Sequence, residues 1–306
     1  MVDSTEKKTV VITGASSGIG RAAVSQMIRA GWQVFATVRK ASDADKLQSE
    51  AGPNVTPVIM DVTDHASVML AAQEVAQKLP GRGLDGLVNV AGIGMVRPVE
   101  YVTPADLQQI FAINVFGQIA VTQAFLPLLR RARGRIVNIS SVGAHFALPF
   151  GSPLNASKAA FGISSDALRL ELRPFGVHVS VIEPGSIRTP AVEKTLGDIE
   201  TVIANLPPEG AAQYGEMMRR FVARGYKMEM NGSSPDVVAE AVHRALTAHR
   251  PRIRYRVGKH SAVLTTLPRV LPERLFDALL LRMAGMPTEF GALASTEDKK
   301  SRRRAA

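Results

Sequence analysis

Residues 9–30 read TVVITGASSGIGRAAVSQMIRA, and the fold can be inferred from their pattern. A β-branched run leads into three glycines, Gly14, Gly18 and Gly20, and an amphipathic helix pattern follows. Glycines at such a strand-to-helix turn let the backbone approach a pyrophosphate, whose charge is favoured at the helix N-terminus. A second strand pattern, residues 33–38, ends about twenty residues further on. The stretch therefore predicts a β-α-β unit that binds a dinucleotide.

Strand-like runs and amphipathic stretches alternate along the rest of the chain. The strand patterns cover residues 9–13, 33–38, 55–60, 86–90, 135–139, 177–182 and 252–257, and the helix patterns cover 19–30, 66–79, 104–130, 153–174 and 235–248. The first six strand patterns are apolar nearly throughout, which is typical of a parallel sheet covered on both faces. The last alternates Arg with apolar residues and predicts an edge strand. Right-handed crossovers make this an open doubly wound α/β sheet of three layers, with ligands at the carboxyl ends of the strands.

Composition excludes several classes of protein. The 306 residues are 46% hydrophobic and 21% charged, enough apolar material for a sizeable core, and none is cysteine. A thiol nucleophile, a Cys-ligated metal and a disulfide are excluded, and the histidines show no metal-ligand spacing. The start has no signal-peptide pattern, and no run approaches the roughly 18 apolar residues that a spanning helix needs. These features predict a cytoplasmic protein with no metal site.

The net charge of +10 is concentrated at one end of the chain. Residues 250–306 carry a net charge of +8, so the body of the protein is nearly neutral. A basic tail without interleaved aromatic residues predicts no nucleic-acid partner.

Several motifs occur in a familiar order. They are TGASSGIG at 13–20, NVAG at 89–92, Asn114, the pair Ser140-Ser141, NASK at 155–158 and PG at 184–185. In these motifs the chain resembles the short-chain dehydrogenase/reductase family from about residue 9 to 189. The resemblance implies a seven-stranded sheet, NAD or NADP, hydride exchange between an alcohol and a carbonyl, and a homodimer or homotetramer.

The resemblance also implies which residues hold the cofactor. It assigns the phosphates to Gly14, Ser16, Ser17, Gly18, Ile19 and Gly20, the adenine to Asp61 and Val62, the adenine ribose to Asn89, Ala91 and Gly92, the nicotinamide ribose to Lys158, and the nicotinamide to Pro184, Gly185, Ile187 and Thr189. At the end of the second strand, Val38 stands where a carboxylate would select NAD, and Arg39 follows it. Because Arg pairs well with a phosphate, the sequence favours NADP over NAD, although Arg39 could also be a solvated strand-end charge.

The catalytic positions contain one departure from the family. Ser141, Lys158 and Asn114 match the family's Ser, Lys and Asn, but the Tyr expected four residues before the Lys is Leu154. Leucine can neither donate nor accept a proton, so loss of a positioned acid is expected to cost on the order of 10²–10⁴ in rate. Tyr214 or Tyr226 from a lid, or His145, could supply a proton instead.

The C-terminal third suggests two further elements. Residues 187–232 contain Pro207, Pro208 and several glycines, which predicts an irregular lid over a domain of residues 1–258. Residues 259–306 form a basic tail with a helix pattern whose apolar face is Leu275, Phe276, Leu279, Leu280 and Met283. That face could dock beside the substrate entrance, lie on an anionic membrane surface as a peripheral attachment, or bind a partner. The last residues, 299–306, are predicted to be disordered.

Two functions follow from these observations. The first is an NADP-dependent oxidoreductase for an apolar carbonyl or alcohol, impaired at Leu154. Phe146, Leu148 and Phe150 in the pocket-bordering segment suggest a retinoid, steroid or fatty-acyl carbonyl. The second is a catalytically inactive NADP-binding protein that acts as a sensor or binding module.

Overall fold

The protein is built on one seven-stranded parallel sheet; the computed structural model describes residues 7–293. The strands are β1 (Thr9–Ile12), β2 (Gln33–Val38), β3 (Val55–Ile59), β4 (Gly86–Asn89), β5 (Arg135–Ile139), β6 (His178–Pro184) and β7 (Arg254–Val257). Their order is β3-β2-β1-β4-β5-β6-β7. The order reverses between β1 and β4, so a crevice opens there at the carboxyl ends of the strands. The predicted doubly wound sheet is confirmed.

Twelve α-helices surround or extend the sheet. They are α1 (Gly18–Arg29), α2 (Ala41–Ala51), α3 (His65–Gln77), α4 (Pro104–Phe111), α5 (Gly117–Ala132), α6 (Ser152–Leu172), α7 (Pro190–Leu196), α8 (Ile199–Ala204), α9 (Pro208–Met230), α10 (Asp236–Thr247), α11 (Ser261–Val270) and α12 (Glu273–Ala284) within the described residues. A π-helical turn, Ala112–Phe116, joins α4 to α5.

The two faces of the sheet have separate cores. Val10 and Ile12 of β1 pack with α1, α2 and α10 on one face, while Val11 packs with α3 and α5 on the other. This alternation follows from the two-residue period of a strand, and it explains why β1 is apolar at every position.

The segment predicted as an irregular lid is mainly helical, so the prediction of irregular structure was wrong, whereas its role as a lid stays a prediction. Residues 187–232 contain α7, α8 and α9. Pro208 occupies the first turn of α9, where a missing amide costs nothing, so it begins the helix instead of breaking it. Gly210 faces the ring of Tyr101, and a Cβ there would lie 2.8 Å from it. Close packing explains this glycine inside a helix.

The residues that follow β7 form two helices packed on the body. Helix α12 lies where the sequence predicts one and ends at Gly285, whose φ is +75°. Phe276 and Leu280 are buried, whereas Leu275 and Met283 of the same predicted apolar face are exposed. Helix α11 was not predicted. The predicted disorder of residues 299–306 lies outside the described residues.

One stretch among the described residues, Pro104–Ala132, is long and apolar enough to cross a membrane by length and composition. By length and composition, the prediction that no run approaches the length of a membrane-spanning helix was therefore wrong. Half of its most apolar window is buried inside the protein. Phe125 and Leu129 belong to the core beneath the sheet, so the apolar character has a packing role here.

Candidate active site

The glycine turn after β1 leaves space for a ligand at the N-terminus of α1. Gly14 and Gly18 have φ of +62° and +55°, values that favour glycine. A Cβ on Gly20 would lie 2.1 Å from the Gly14 carbonyl oxygen, so only glycine lets the helix approach the turn. Ser16 and Ser17 are exposed, and the Ser17 side chain makes no capping bond to the helix. The first amide groups of α1 therefore remain available to an anion, which fits a pyrophosphate.

The ends of β2 and β3 bring Arg39 and Asp61 together. Arg39 is exposed directly after the buried Val38. Hydrogen bonds from the Thr63 backbone and hydroxyl lower the pKa of the Asp61 carboxyl, and the Arg39 charge lowers it further. Val62, which the resemblance places at the adenine, is buried next to Asp61. An exposed cation and a carboxyl with a lowered pKa thus lie near each other at the ends of β2 and β3.

The residues after β4 are tied to β1 and to the helices below. The Thr13 hydroxyl accepts hydrogen bonds from the amides of Val90 and Ala91, at 2.8 and 3.0 Å. The Asn89 side chain is buried and donates to Thr122 and Asn138. Asn89 therefore fixes the strand end, and the surface of the crevice is left to Gly92 and its neighbours.

Asn114 is placed by the π-helical turn and is fully buried. Its amide nitrogen donates to the Ile93 carbonyl and to the Ser157 hydroxyl, both at 3.0 Å, and its Oδ1 accepts from the Ile93 amide at 2.8 Å. The side chain thus joins the segment after β4 to α6, close to the predicted catalytic residues.

Lys158 lies on α6 with its ammonium group beside the strand ends. Its Nζ donates to the backbone carbonyl of Ile139, at 2.9 Å. Gly92 lies next to the same nitrogen, because a Cβ added to Gly92 would be 3.4 Å from Nζ. Burial lowers the pKa of Lys158 to about 8. Ser141 begins the turn after β5, where its hydroxyl accepts from the Gly143 amide at 3.1 Å.

One cavity of about 400 Å³ connects these residues. Ser141, Leu154 and Lys158 all line it. Pro184, Gly185, Ile187 and Thr189, which the resemblance assigns to the nicotinamide, line it as well. Most of the remaining wall is apolar, and it includes Phe146 and Leu148 as predicted. Phe150, also predicted at the pocket, is instead buried in a cluster with α8 and α9.

The three side chains predicted to supply a proton in place of a phenol at position 154 are engaged elsewhere. His145 is absent from the cavity wall, and its Nε2 lies 2.8 Å from the carboxylate of the fully buried Glu183. The hydroxyls of Tyr214 and Tyr226 donate to Glu100 and Glu193, at 2.8 and 2.7 Å. Neither tyrosine lines the cavity.

Sequence reasoning missed several residues of the cavity wall. Glu229 of α9 lines the cavity and accepts a hydrogen bond from the Ile187 amide at 3.1 Å, while burial raises the pKa of its carboxyl. Arg224 on the same helix also lines it and donates to the backbone carbonyl of Arg282 in α12. No local motif marks either residue. Asn155 is a further residue of the wall and belongs to the NASK motif. Its side-chain amide donates to the carbonyls of Gly143 and Phe146 and so fixes the loop that borders the cavity.

Comparison with known sequences supports this picture. A family model described as short chain dehydrogenase matches residues 8–199. Mouse retinol dehydrogenase 5 is 37% identical over 286 residues, which cover 92% of this chain and 90% of that protein. Mouse 17-beta-hydroxysteroid dehydrogenase type 6 is 35% identical over 296 residues, covering 94% and 92%.

Solved structures agree with it. A short-chain dehydrogenase from Streptomyces avermitilis superimposes with a TM-score of 0.72 at 28% identity, over 99% of this chain and 100% of that one. A short-chain dehydrogenase from Burkholderia cenocepacia in complex with NADP gives 0.67 at 25% identity, over 90% and 98%. A 3-ketoacyl-(acyl-carrier-protein) reductase from Brucella melitensis complexed with NADH gives 0.64 at 25%, over 79% and 92%.

Proposed function

The chain belongs to the short-chain dehydrogenase family of oxidoreductases, and on that premise we propose that it exchanges a hydride between NADP and an apolar alcohol or carbonyl compound, slowly because residue 154 is leucine. The observation that carries the proposal is the position of Ser141 and Lys158 on the wall of one largely apolar cavity, next to the glycine turn of the crevice.

The residues of the crevice fit a nicotinamide dinucleotide. The uncapped N-terminus of α1 and the turn at Gly14–Gly20 would hold the pyrophosphate, and the Lys158 ammonium would reach a ribose hydroxyl. When bound, the nicotinamide supplies or accepts the hydride. The segment Pro184–Thr189 lines the cavity that the substrate would enter, so it would carry the ring.

Arg39 supports the choice of NADP over NAD. Its side chain is exposed at the end of β2, where Val38 offers no carboxylate to a ribose hydroxyl. A guanidinium there would pair with the 2′-phosphate of NADP. The Asp61 carboxylate nearby would repel that phosphate, so the preference for NADP requires that Arg39 lie nearer to the phosphate than Asp61 does.

The composition of the cavity wall supports an apolar substrate. Val96, Phe146, Leu148 and Leu196 line it together with residues of α12, and such a wall suits a hydrocarbon skeleton that carries one alcohol or carbonyl. The names of the relatives suggest a retinol-like or steroid-like compound. Ser141 would hold the oxygen of that compound by a hydrogen bond.

Leu154 favours a second candidate function. A protein that keeps the crevice but lacks the phenol could bind NADP without turnover and act as a sensor or binding module. The two candidates share the cofactor and differ only in chemistry.

A single experiment separates them. Oxidation of NADPH and of NADH is followed with retinal, a 3-ketosteroid, a 17-ketosteroid and a long-chain aldehyde, and binding of both dinucleotides is measured by calorimetry. Turnover of at least one carbonyl supports the oxidoreductase. Tight binding without turnover supports the sensor. Binding of neither dinucleotide at millimolar concentration contradicts both.

The environment of the protein is part of the proposal. We propose a cytoplasmic homodimer or homotetramer that can attach to an anionic membrane surface through α11 and α12. Val263, Val270 and Leu275 support attachment because they are apolar and more than half exposed on helices that also line the cavity. Co-sedimentation with vesicles containing phosphatidylserine, compared with Leu275→Glu, tests attachment, and sedimentation velocity tests assembly.

A further inference from the structure

The cavity wall contains three titratable side chains among the described residues: Lys158, Arg224 and Glu229. An arginine stays protonated throughout the working range of pH, so Arg224 cannot supply a proton. Burial raises the pKa of Glu229, but its carboxylate is held on α9 by the hydrogen bond from the Ile187 amide, away from the helix that carries residue 154. Of the two that can titrate, Lys158 is the one on α6, one helical turn from Leu154, where the family resemblance expects the acid.

Lys158 is also well placed for that task. Its Nζ bonds to the carbonyl of Ile139, two residues before Ser141 on the same strand end, and makes no second bond to a described residue. The Ser140 hydroxyl donates to the Lys158 carbonyl at 3.1 Å and so fixes this turn of α6 against β5. Leu154, one turn earlier on α6, leaves an uncharged hydrocarbon wall where the family carries its phenol.

We propose that Lys158 itself is the acid and base of the reaction, donating its proton directly to the substrate oxygen in place of the absent phenol. This inference rests on the proposed function and extends it, because it assigns the chemistry to a group otherwise expected only to hold the ribose.

The charges around Lys158 agree with that role. The pKa of about 8 results from burial, without a carboxylate partner to hold the proton. On β6, Glu183 pairs with His145 and with Arg254 of β7. On α6, Asp166 pairs with the same Arg254. On α9, the charged groups of the cavity wall are Arg224 and Glu229. The amine therefore changes its protonation near neutral pH, as an acid-base catalyst should.

The step balances in the direction of reduction. The substrate carbon receives a hydride from the reduced dinucleotide, and the π electrons of the carbonyl move to its oxygen. An O–H bond forms as one N–H bond of Lys158 breaks, which leaves an alcohol, an oxidised dinucleotide and a neutral amine. Water then returns a proton to the amine. Oxidation follows the reverse sequence, with neutral Lys158 as the base.

The test combines kinetics with a direct titration. The rate of reduction is measured from pH 6 to 10 with the best carbonyl of the panel, for the wild type, for Lys158→Arg and for the surface control Lys78→Arg. NMR of protein labelled with ¹⁵N at the lysine Nζ follows the titration of Lys158, assigned by its loss in Lys158→Arg. Calorimetry gives the NADP affinity of each protein.

We expect the wild-type rate to fall about tenfold per pH unit above an inflection near pH 8, at the midpoint of the Lys158 titration. Lys158→Arg keeps the charge but not the titration, so its rate should be pH-independent and lower by about 10²–10⁴. Lys78→Arg should keep the wild-type inflection.

Three results would overturn the inference. The first is an inflection that survives in Lys158→Arg. The second is an NMR titration midpoint of Lys158 outside pH 7–9, and the third is an NMR midpoint that differs from the inflection of the rate. Both of these are measured on the wild type, so they can be determined even if Lys158→Arg binds NADP poorly. All three leave the proposed function intact. Absence of turnover at every pH instead contradicts the proposed function itself, and the inference with it.

Discussion

The imidazole of His145 and the carboxylate of Glu183 form a pair, with Nε2 2.8 Å from Oε1, behind the cavity loop. Glu183 is fully buried, and Arg254 also donates to its Oε1. His145 precedes Phe146, which lines the cavity and packs edge-to-face on Phe276 of α12. The pair therefore anchors the loop that forms the wall, and His145 is unavailable as the substitute acid.

Removing the charge of Glu183 should destabilise the fold. Glu183→Gln leaves His145 and Arg254 facing a neutral amide in a buried place, and breaking such a cluster costs about 3–5 kcal/mol. Urea unfolding followed by circular dichroism measures the loss. The control is Glu200→Gln, which removes an exposed partner of Arg219 and should not move the midpoint. Equal midpoints for both variants would contradict the anchoring role.

Because of the Glu183 carboxylate, the free energy of unfolding should depend on pH in the acid range. Burial raises the pKa of Glu183, but hydrogen bonds and charges from His145 and Arg254 outweigh burial and lower the pKa below its ordinary value of 4.5. A lowered pKa means that the stabilisation is complete above pH 4.5 and is lost as pH falls through the folded-state pKa. The stability difference between wild type and Glu183→Gln should therefore shrink below pH 4.5. A difference that stays constant to pH 3 would exclude this linkage.

Restoring the phenol should increase turnover. Leu154→Tyr places a hydroxyl one turn from Lys158, whose charge favours the phenolate, and general acid-base catalysis supplies about 10²–10⁴ in rate. Alcohol oxidation should gain with rising pH, and Ser141→Ala should abolish most of the gain. Leu154→Phe is the matched control, because it fills the same space without a hydroxyl. If Phe raises turnover as much as Tyr does, the gain comes from packing and not from the phenol.

Arg39 should determine the cofactor preference. Arg39→Asp replaces the cation that would pair with the 2′-phosphate by a carboxylate that repels it, so the preference should shift towards NAD. Calorimetric titration with NADP and NAD gives the ratio of affinities. Lys46→Asp makes the same change of charge on the exposed surface of α2 and should leave the ratio nearly unchanged. An Arg39→Asp protein that still prefers NADP would remove the basis of the prediction.

Two glycines should respond oppositely to alanine. In Gly20→Ala the new Cβ meets the Gly14 carbonyl oxygen at 2.1 Å, so we expect a loss of about 1–3 kcal/mol and weaker dinucleotide binding. Gly162 lies within α6, where a Cβ would meet the Ser140 hydroxyl at an ordinary contact distance of 3.9 Å. Gly162→Ala should therefore stabilise the protein by about 0.5–1 kcal/mol. Thermal unfolding distinguishes these outcomes, and equal effects would contradict the close approach at Gly20.

Local sequence patterns are enough to identify the sheet and the motifs upon it. Buried strands are marked by runs such as Val10–Ile12, in which both faces must be apolar, and the glycine turn is marked by backbone conformations that other residues rarely adopt. Both signals lie within a few consecutive residues. The assignment of Leu154 to the family's Tyr position stays a prediction from the sequence, and it depends on the four-residue spacing to Lys158 on one helix.

Contacts between side chains that are far apart in the sequence depend on tertiary packing. The sequence does not show that His145 pairs with Glu183 of β6, or that the hydroxyls of Tyr214 and Tyr226 donate hydrogen bonds to Glu100 and Glu193. Glu229 reaches the cavity only because α9 folds back over Ile187. Each of these contacts joins residues more than thirty positions apart, through packing that no local pattern encodes. The residues that complete the site were therefore set by the fold and not by the motifs.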